Sequence, residues 1–524
     1  MEITVRLLGA VLKVLRWILW PIFFIRSLRP TPALPPMKTD LLKESVTVLA
    51  SKIRNGEVTS RQLVDACIER IKDINPLVNA VVEDRFKEAQ EEANRVDDYI
   101  AANKNNLAII AKEKPLLGVP CSVKESIGLK GLSQAVGCLP RKGTIASEDG
   151  DAVKELKKAG AIPLCVTNTP ELCLCWESNN YITGCTKNPY NLHRTVGGSS
   201  GGEGAIIATG GSLFGVASDL AGSVRIPSMF NGVFGHKPSP GLVSLVGHYP
   251  EATNIEFEKY LAIGPMARHA EDLPLLLKVL AGERAKGLNL DKEVDLKNIN
   301  VFYMEEAGYS LVAVQVSDEI KKILKDAVLH LKTTYGCYAG KAPFHELEDS
   351  VEISGSLFLG LKDIPDMLAL SQKKNKHEMT LNKEAIKSFF GMSEFTYFAL
   401  VFLALREYNL FIPKSRFEYY CKQNEELREK VLETLKDNGV FLYPTFPIPA
   451  YNHHEVYTVT SGVMYTMVCN TLGLPSTHVP LGLGKEGLPI GIQVIAGPNQ
   501  DRLCFAVAKA LEEKFGGWVP PPSS

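Results

Sequence analysis

Between Val196 and Ala205 the chain reads VGGSSGGEGA, with two adjacent serines and a single charge, Glu203, among its glycines. Glycine loses more conformational freedom on folding than any other residue, so so dense a run must answer a local backbone need. A flexible linker does not fit, because the next segment, AIIATGGSLFGVASDL, reads as buried sequence and linkers are flanked by polar residues. A Walker-type phosphate loop requires Gly-Lys-Ser/Thr after its glycines, and that triplet is absent here. By letter, Gly197 to Gly201 also fits the G-x-S-x-G nucleophile elbow. That elbow follows a hydrophobic strand, whereas NPYNLHRT precedes this one. What remains is a backbone that comes unusually close to serine chemistry.

Two further segments extend that reading. SDLAGSVRIP carries a second glycine-flanked serine, Ser223, and LLGVPCSVKESIG, upstream, carries Lys124 among aliphatic residues. A charged lysine at an aliphatic strand end is costly unless it is paired or neutral. Burial lowers a lysine pKa by up to about 3–5 units, enough to leave a free amine near neutral pH. A neutral amine is a competent general base, and one serine hydroxyl can relay its proton to another.

The rest of the chain sets the frame. It has 524 residues, is 45% hydrophobic and carries a formal net charge of -1, so it has ample length for a large core and no electrostatic footprint for nucleic acid. Its 11 cysteines are dilute, odd in number and free of any CxxC pair, which reads as buried thiols, with no metal site expected. From Leu41 onward, helical periodicity alternates with short strand-like runs. Thr59 or Ser60 caps one helix and Asn75-Pro76 is expected to end it. LLGVPCSVKE, AIPLCVT, LKNINVFYM, GVFLYPTF and GLPIGIQVIAG read as strands, and DAVKELKKAG and DRLCFAVAKALEEKF as helices. Such alternation predicts an α/β fold with a largely buried sheet.

Two regions stand apart. Leu7 to Leu28 is dominated by aliphatic and aromatic residues, but Lys13 and Arg16 keep any uninterrupted apolar run below the ~18 residues of a clean spanning helix. Residues 1–28 are read as a membrane anchor, spanning or interfacial; a cleaved signal peptide and a buried terminal helix are the other readings. Residues 29–40, with four prolines, read as a stiff tether outside the fold. Residues 363–420 have few strand signals and a dense apolar run from Phe398 to Leu405, suited to a core helix or to a hydrophobic cap or channel.

GVPCSVKES, VGGSSGGEGA and SDLAGSVRIP resemble, in order and spacing, the three catalytic segments of the amidase signature enzymes. IKDINPLVNA, GHKPSPG and GLPIGIQVIAGP extend the resemblance across residues 41–519, leaving 520–524 as a tail. The resemblance implies the amidase signature fold, a central mixed β-sheet covered by helices on both faces, and a Ser-Ser-Lys triad. In it Ser223 is the nucleophile, Ser199 the bridging serine behind a cis bond from Gly198, and Lys124 the base. It also implies an oxyanion hole from the N–H groups of Leu220, Ala221, Gly222 and Ser223, such donors being worth about 3–4 kcal/mol each. Ala221 stands where the family usually has glycine; should that position need a positive φ, its methyl group costs about 1–2 kcal/mol.

Cys173 and Ser199 are placed at the substrate pocket on the same mapping, and no cofactor is expected. Asp219 and Arg225 are expected to brace the nucleophile loop, Ser200 to bond locally, His193 and His236 to be structural, and Glu125 to point away from Lys124. Together with the apolar N-terminus, the resemblance implies a membrane-associated serine hydrolase of fatty-acid amides, with a lipid amide and a membrane as partners and a homodimer as a candidate assembly. A glutamine amidase subunit and a non-catalytic lipid-binding protein on the same fold are the alternatives.

Overall fold

Strands contributed from residue 81 to residue 496 converge in one mixed sheet. The computed structural model describes residues 2–251, 255–308, 310, 312–361, 367–370, 380–408 and 410–523. Among these the sheet has eleven strands: β1 (Val81–Asp84), β2 (Pro120–Lys124), β3 (Ile162–Thr167), β4 (Phe214–Asp219), β5 (Phe234–Lys237), β6 (Ala262–Ala267), β7 (Asn300–Tyr303), β8 (Tyr338–Lys341), β9 (Gly439–Pro444), β10 (Ser476–Leu483) and β11 (Pro489–Ala496). Their spatial order is β1-β3-β2-β4-β6-β5-β10-β11-β9-β7-β8. β3, β2 and β4 run parallel to one another, as do β9, β7 and β8. The strands between these groups pair antiparallel. Every residue of β2 to β6, β9 and β11 is buried. Burial on both faces explains why β2, β3, β9 and β11 read as apolar runs rather than alternating ones.

The parallel trio determines where chemistry can occur. Lys124 ends β2, Thr167 ends β3 and Asp219 ends β4, so three polar side chains leave the sheet at one edge. Ligands in open α/β sheets bind at such carboxyl ends. The glycine run lies against this edge as the helix Gly201–Ala208. Glu203 fastens it there by accepting hydrogen bonds from Ser122 Oγ of β2 (2.6 Å) and Thr167 Oγ1 of β3 (2.7 Å). The glycines are required by contact: a Cβ on Gly198 would lie 2.4 Å from the Cys175 carbonyl oxygen, and one on Gly202 would lie 2.4 Å from the Asn168 backbone nitrogen.

Three local expectations change. The helix Ser60–Val78 is capped by Thr59 in a capping box with Gln62, but it runs through Pro76. In the last turn proline forfeits only one hydrogen bond. The Asn75 side chain accepts from Ala80 and Val81 N–H (2.7 and 2.9 Å), and Asn79, at φ 52°, ends the helix. The proline-rich segment is part of the fold rather than a tether: Leu34 is buried and bridges Ser523, and Arg70 Nη1 donates to the carbonyls of Pro35 and Pro36. The N-terminal helix, Ile3–Ser27, is long and apolar enough to cross a membrane, yet it lies against the domain through Val5 and Gly9. Of the 363–420 region, residues 363–366, 371–379 and 409 lie outside the described residues. Phe398 to Leu405 falls in the helix Tyr397–Glu407.

The close approach at Gly202 gives a measurable expectation. Gly202→Ala should destabilise the fold by about 1–3 kcal/mol through overpacking against backbone that cannot yield. Gly287→Ala, where a Cβ meets nothing within 4 Å, should stay within about 0.5 kcal/mol. Thermal or denaturant unfolding of the two variants checks the difference.

Candidate active site

Lys124 is fully buried, and its Nζ lies 2.6 Å from Ser199 Oγ, 3.0 Å from Ser218 Oγ and 3.4 Å from the Ser218 carbonyl oxygen. Burial pushes the amine below the ordinary lysine range, against the opposing pull of the neighbouring Cys173 thiol and of the Asp219 and Glu203 carboxylates. A neutral amine has two hydrogens and one lone pair. His248 decides how they are used. Its Nδ1 faces the Pro250 carbonyl oxygen (2.9 Å) and must therefore donate, leaving Nε2 to accept from Ser218 Oγ at 2.9 Å. Burial lowers the His248 pKa to about 4, which keeps the ring neutral. With its proton given to His248, the Ser218 hydroxyl accepts from Lys124. The amine hydrogens then point at Ser218 Oγ and O, and the lone pair is left for Ser199.

Ser199 follows a cis peptide bond from Gly198, as the sequence resemblance implies. Ser178 holds this turn, its Oγ donating to Gly197 O (3.0 Å) and accepting from Gly201 N–H (3.1 Å). Ser223 comes from the loop between β4 and the helix Arg225–Asn231, and Ser200 N–H donates to its carbonyl oxygen at 3.2 Å. Ser199, Ser218 and Ser223 share the lining of one cavity. Among the described residues no hydrogen bond joins the Ser199 and Ser223 hydroxyls; Ser199 bonds to Lys124, and Ser223 faces the cavity.

A buried ion pair shapes the loop before Ser223. Arg225 donates from Nε and Nη2 to the two oxygens of Asp219, each at 3.0 Å, and both side chains are fully buried. Burial alone would raise the Asp219 pKa, but the Arg225 guanidinium holds it well below the usual carboxylate range. Asn470 and Gln493 accept from two further Arg225 N–H groups (2.7 and 2.9 Å). Asp219 also accepts from Gly222 N–H (2.7 Å) and Val224 N–H (3.1 Å). This corrects the four-donor expectation, because the Gly222 amide is already committed to Asp219. The N–H groups of Leu220, Ala221 and Ser223 have no acceptor among the described residues. The positive φ of this loop belongs to Gly222, at 104°, and Ala221 has none, so its methyl group carries no left-handed strain.

The cavity has a volume of about 340 Å³. Its lining includes the three serines and His248; the other walls are mainly apolar, with Leu174, Trp176, Phe358, Phe402 and Met464 among them, and Glu251, Thr460 and Ser461 add polar groups. Phe398 also lines it, so one face of the apolar run is a cavity wall, while Ala399 and Leu400 on its other face are buried. Cys173 lines the cavity, its thiol 3.3 Å from Thr169 Oγ1. Glu125 turns away from Lys124 to accept from Ser133 Oγ and Gly137 N–H. His236 is fixed between Thr477 and Asp501, and neither it nor His193 lines the cavity. Sequence reasoning missed Ser218 and His248. Ser218 opens the quoted motif SDLAGSVRIP, but nothing local marks His248.

The sequence profile of the amidase family matches residues 62–505. Fatty-acid amide hydrolase 2-B of Danio rerio is 44% identical over 491 residues, 93% of this chain and 92% of that protein. Fatty-acid amide hydrolase 2 of Homo sapiens is 41% identical over 490 residues, again 93% and 92% of the two chains. A solved structure of fatty acid amide hydrolase superposes with a TM-score of 0.73 at 23% identity, covering 93% of this chain and 87% of its own.

Removing one partner of a buried ion pair leaves the other uncompensated. Arg225→Met should therefore destabilise the protein by about 3–5 kcal/mol and release the loop before Ser223. Denaturant unfolding measures the first effect, and protease sensitivity near residue 222 the second.

Proposed function

This chain belongs to the amidase signature family and is an amide hydrolase, and from that premise we propose that it cleaves long-chain fatty-acid amides at a membrane through Lys124, Ser199 and Ser223. The observation that carries this reading is a mainly apolar cavity lined by two serines, Ser199 and Ser223, the first of them bonded to the buried amine of Lys124. Its volume falls in the usual range for small-ligand sites. The identities to fatty-acid amide hydrolases of the second type support the same substrate class. The N-terminal helix, with Trp17, Ile18 and Trp20 exposed, supports membrane association.

In this mechanism Ser199 gives its proton to the Lys124 lone pair while taking the proton of Ser223. The freed Ser223 oxygen attacks the amide carbon. Negative charge gathers on the former carbonyl oxygen, toward the unengaged N–H groups of Leu220, Ala221 and Ser223. The proton then returns from Lys124 through Ser199 to the amide nitrogen, the C–N bond breaks, the amine departs and the acyl group remains as an ester on Ser223. Water, activated by the same relay, hydrolyses that ester and restores all three residues. Cys173 and Ser199 contact the substrate near the reacting carbonyl.

A glutamine amidase would need a cation for the substrate α-carboxylate. Among the described residues, those lining this cavity include neither arginine nor lysine. Turnover of glutamine but not of oleamide would nevertheless decide for that reading. An absence of Ser223-dependent fluorophosphonate labelling would favour a lipid-binding protein.

The pH dependence follows in sign from Lys124. The neutral amine is the working form, so activity falls as pH drops through its lowered pKa. Lys124→Ala should reduce acylation at neutral pH by about 100-fold or more, with partial recovery at higher pH, in a steady-state pH-rate profile. An unchanged profile removes Lys124 from the base role. Ser223→Ala should abolish covalent labelling, and Ser199→Ala should slow it without abolishing it.

A further inference from the structure

An N-terminal helix that served only as an anchor would have no reason to be fitted along the domain, yet this one is held by a stripe of contacts. Arg416 Nε and Tyr420 Oη donate to Glu2 Oε1 (3.0 and 2.8 Å), and Thr4 Oγ1 donates to the Phe411 carbonyl oxygen (3.0 Å). Further on, Arg16 pairs with Glu455 at 3.2 Å, where the carboxylate is only 9% exposed. The stripe from Glu2 to Arg16 runs about 21 Å along the helix. Between its ends Val5 and Gly9 are buried, and Leu8 and Leu12 line the same cavity as Ser223. The partners come from separate parts of the chain, the loop and helix near 411–420 and the loop at 455. The opposite face, with Val11, Val14 and Ile18, is exposed.

We propose that the N-terminal helix is a wall of the substrate cavity and that Leu8 and Leu12 set the length of acyl chain the enzyme accepts. The inference rests on the fatty-amide reading above. A leucine on a cavity wall limits length in a simple way. A larger side chain fills the space that the last methylenes of the substrate would occupy, and a smaller one extends it. Excluding two or three methylenes from the cavity costs roughly tenfold or more in selectivity. The contribution is steric and does not touch the reacting atoms.

The test uses the full chain in detergent micelles and reads the ratio of kcat/KM for oleamide to that for octanamide. Leu8→Trp and Leu12→Trp should each lower the ratio about tenfold, equivalent to about 1.4 kcal/mol. The Leu8→Ala/Leu12→Ala double variant should raise it and decides the matter if the tryptophan variants fail to fold. Val14→Ser, on the exposed face, should leave the ratio as it is. A ratio within twofold of the parent in the Leu8 and Leu12 variants, or an equal change in Val14→Ser, overturns the proposal. A parent enzyme that hydrolyses neither amide overturns the fatty-amide reading itself, an outcome distinct from an active enzyme whose ratio does not move.

Discussion

The desolvated amine of Lys124 is the constraint on which the rest depends. An ammonium group in that position would be far costlier than a neutral amine, so the fold surrounds it with neutral hydroxyls and a carbonyl rather than with a carboxylate in contact. The nearest acids are engaged elsewhere. Asp219 is taken up by Arg225, and Glu203, whose pKa burial raises to about 7, is taken up by Ser122 and Thr167. Keeping the amine unpaired thus requires two buried networks whose main function is to occupy carboxylates.

Those networks have a second consequence. Asp219–Arg225 joins β4 to Asn470 and to Gln493 of β11, so the Ser223 loop is braced by residues from the second half of the chain. Glu203 ties the glycine helix to β2 and β3. The two serines are therefore carried on separately braced segments and meet only at the carboxyl edge of the parallel trio. Positioning of this kind is what a proton relay requires, because a displacement of a fraction of an ångström breaks a hydrogen bond.

Much of this was legible in the chain. The glycine run, Lys124 and Ser223 stand out because each breaks a pattern: too much glycine, a charge among aliphatics, a serine after a glycine in an apolar stretch. β2, β3, β7, β9 and β11 were readable as apolar runs, whereas β4, which delivers Ser223, was not, since GGSLFGVASDL carries neither alternation nor a strong β-branched bias. His248 was invisible because its importance comes from a partner thirty residues upstream in sequence and from the acceptor on its other nitrogen. The commitment of Gly222 N–H to Asp219 was hidden for the same reason: sequence reveals which donors exist but not what they already hold. Pro76 misled because a proline reads as a stop, whereas the helix runs two residues past it and is ended by Asn79, with the Asn75 side chain taking up the N–H groups of Ala80 and Val81.

The bridge between Leu34 and Ser523 closes the polypeptide on itself, since Leu34 N–H donates to the Pro522 carbonyl oxygen and the following residues feed directly into Arg70. These two segments, far apart in sequence, form a clasp: loosening the one near residue 523 frees the strap whose Pro35 and Pro36 carbonyls accept from the buried Arg70 guanidinium.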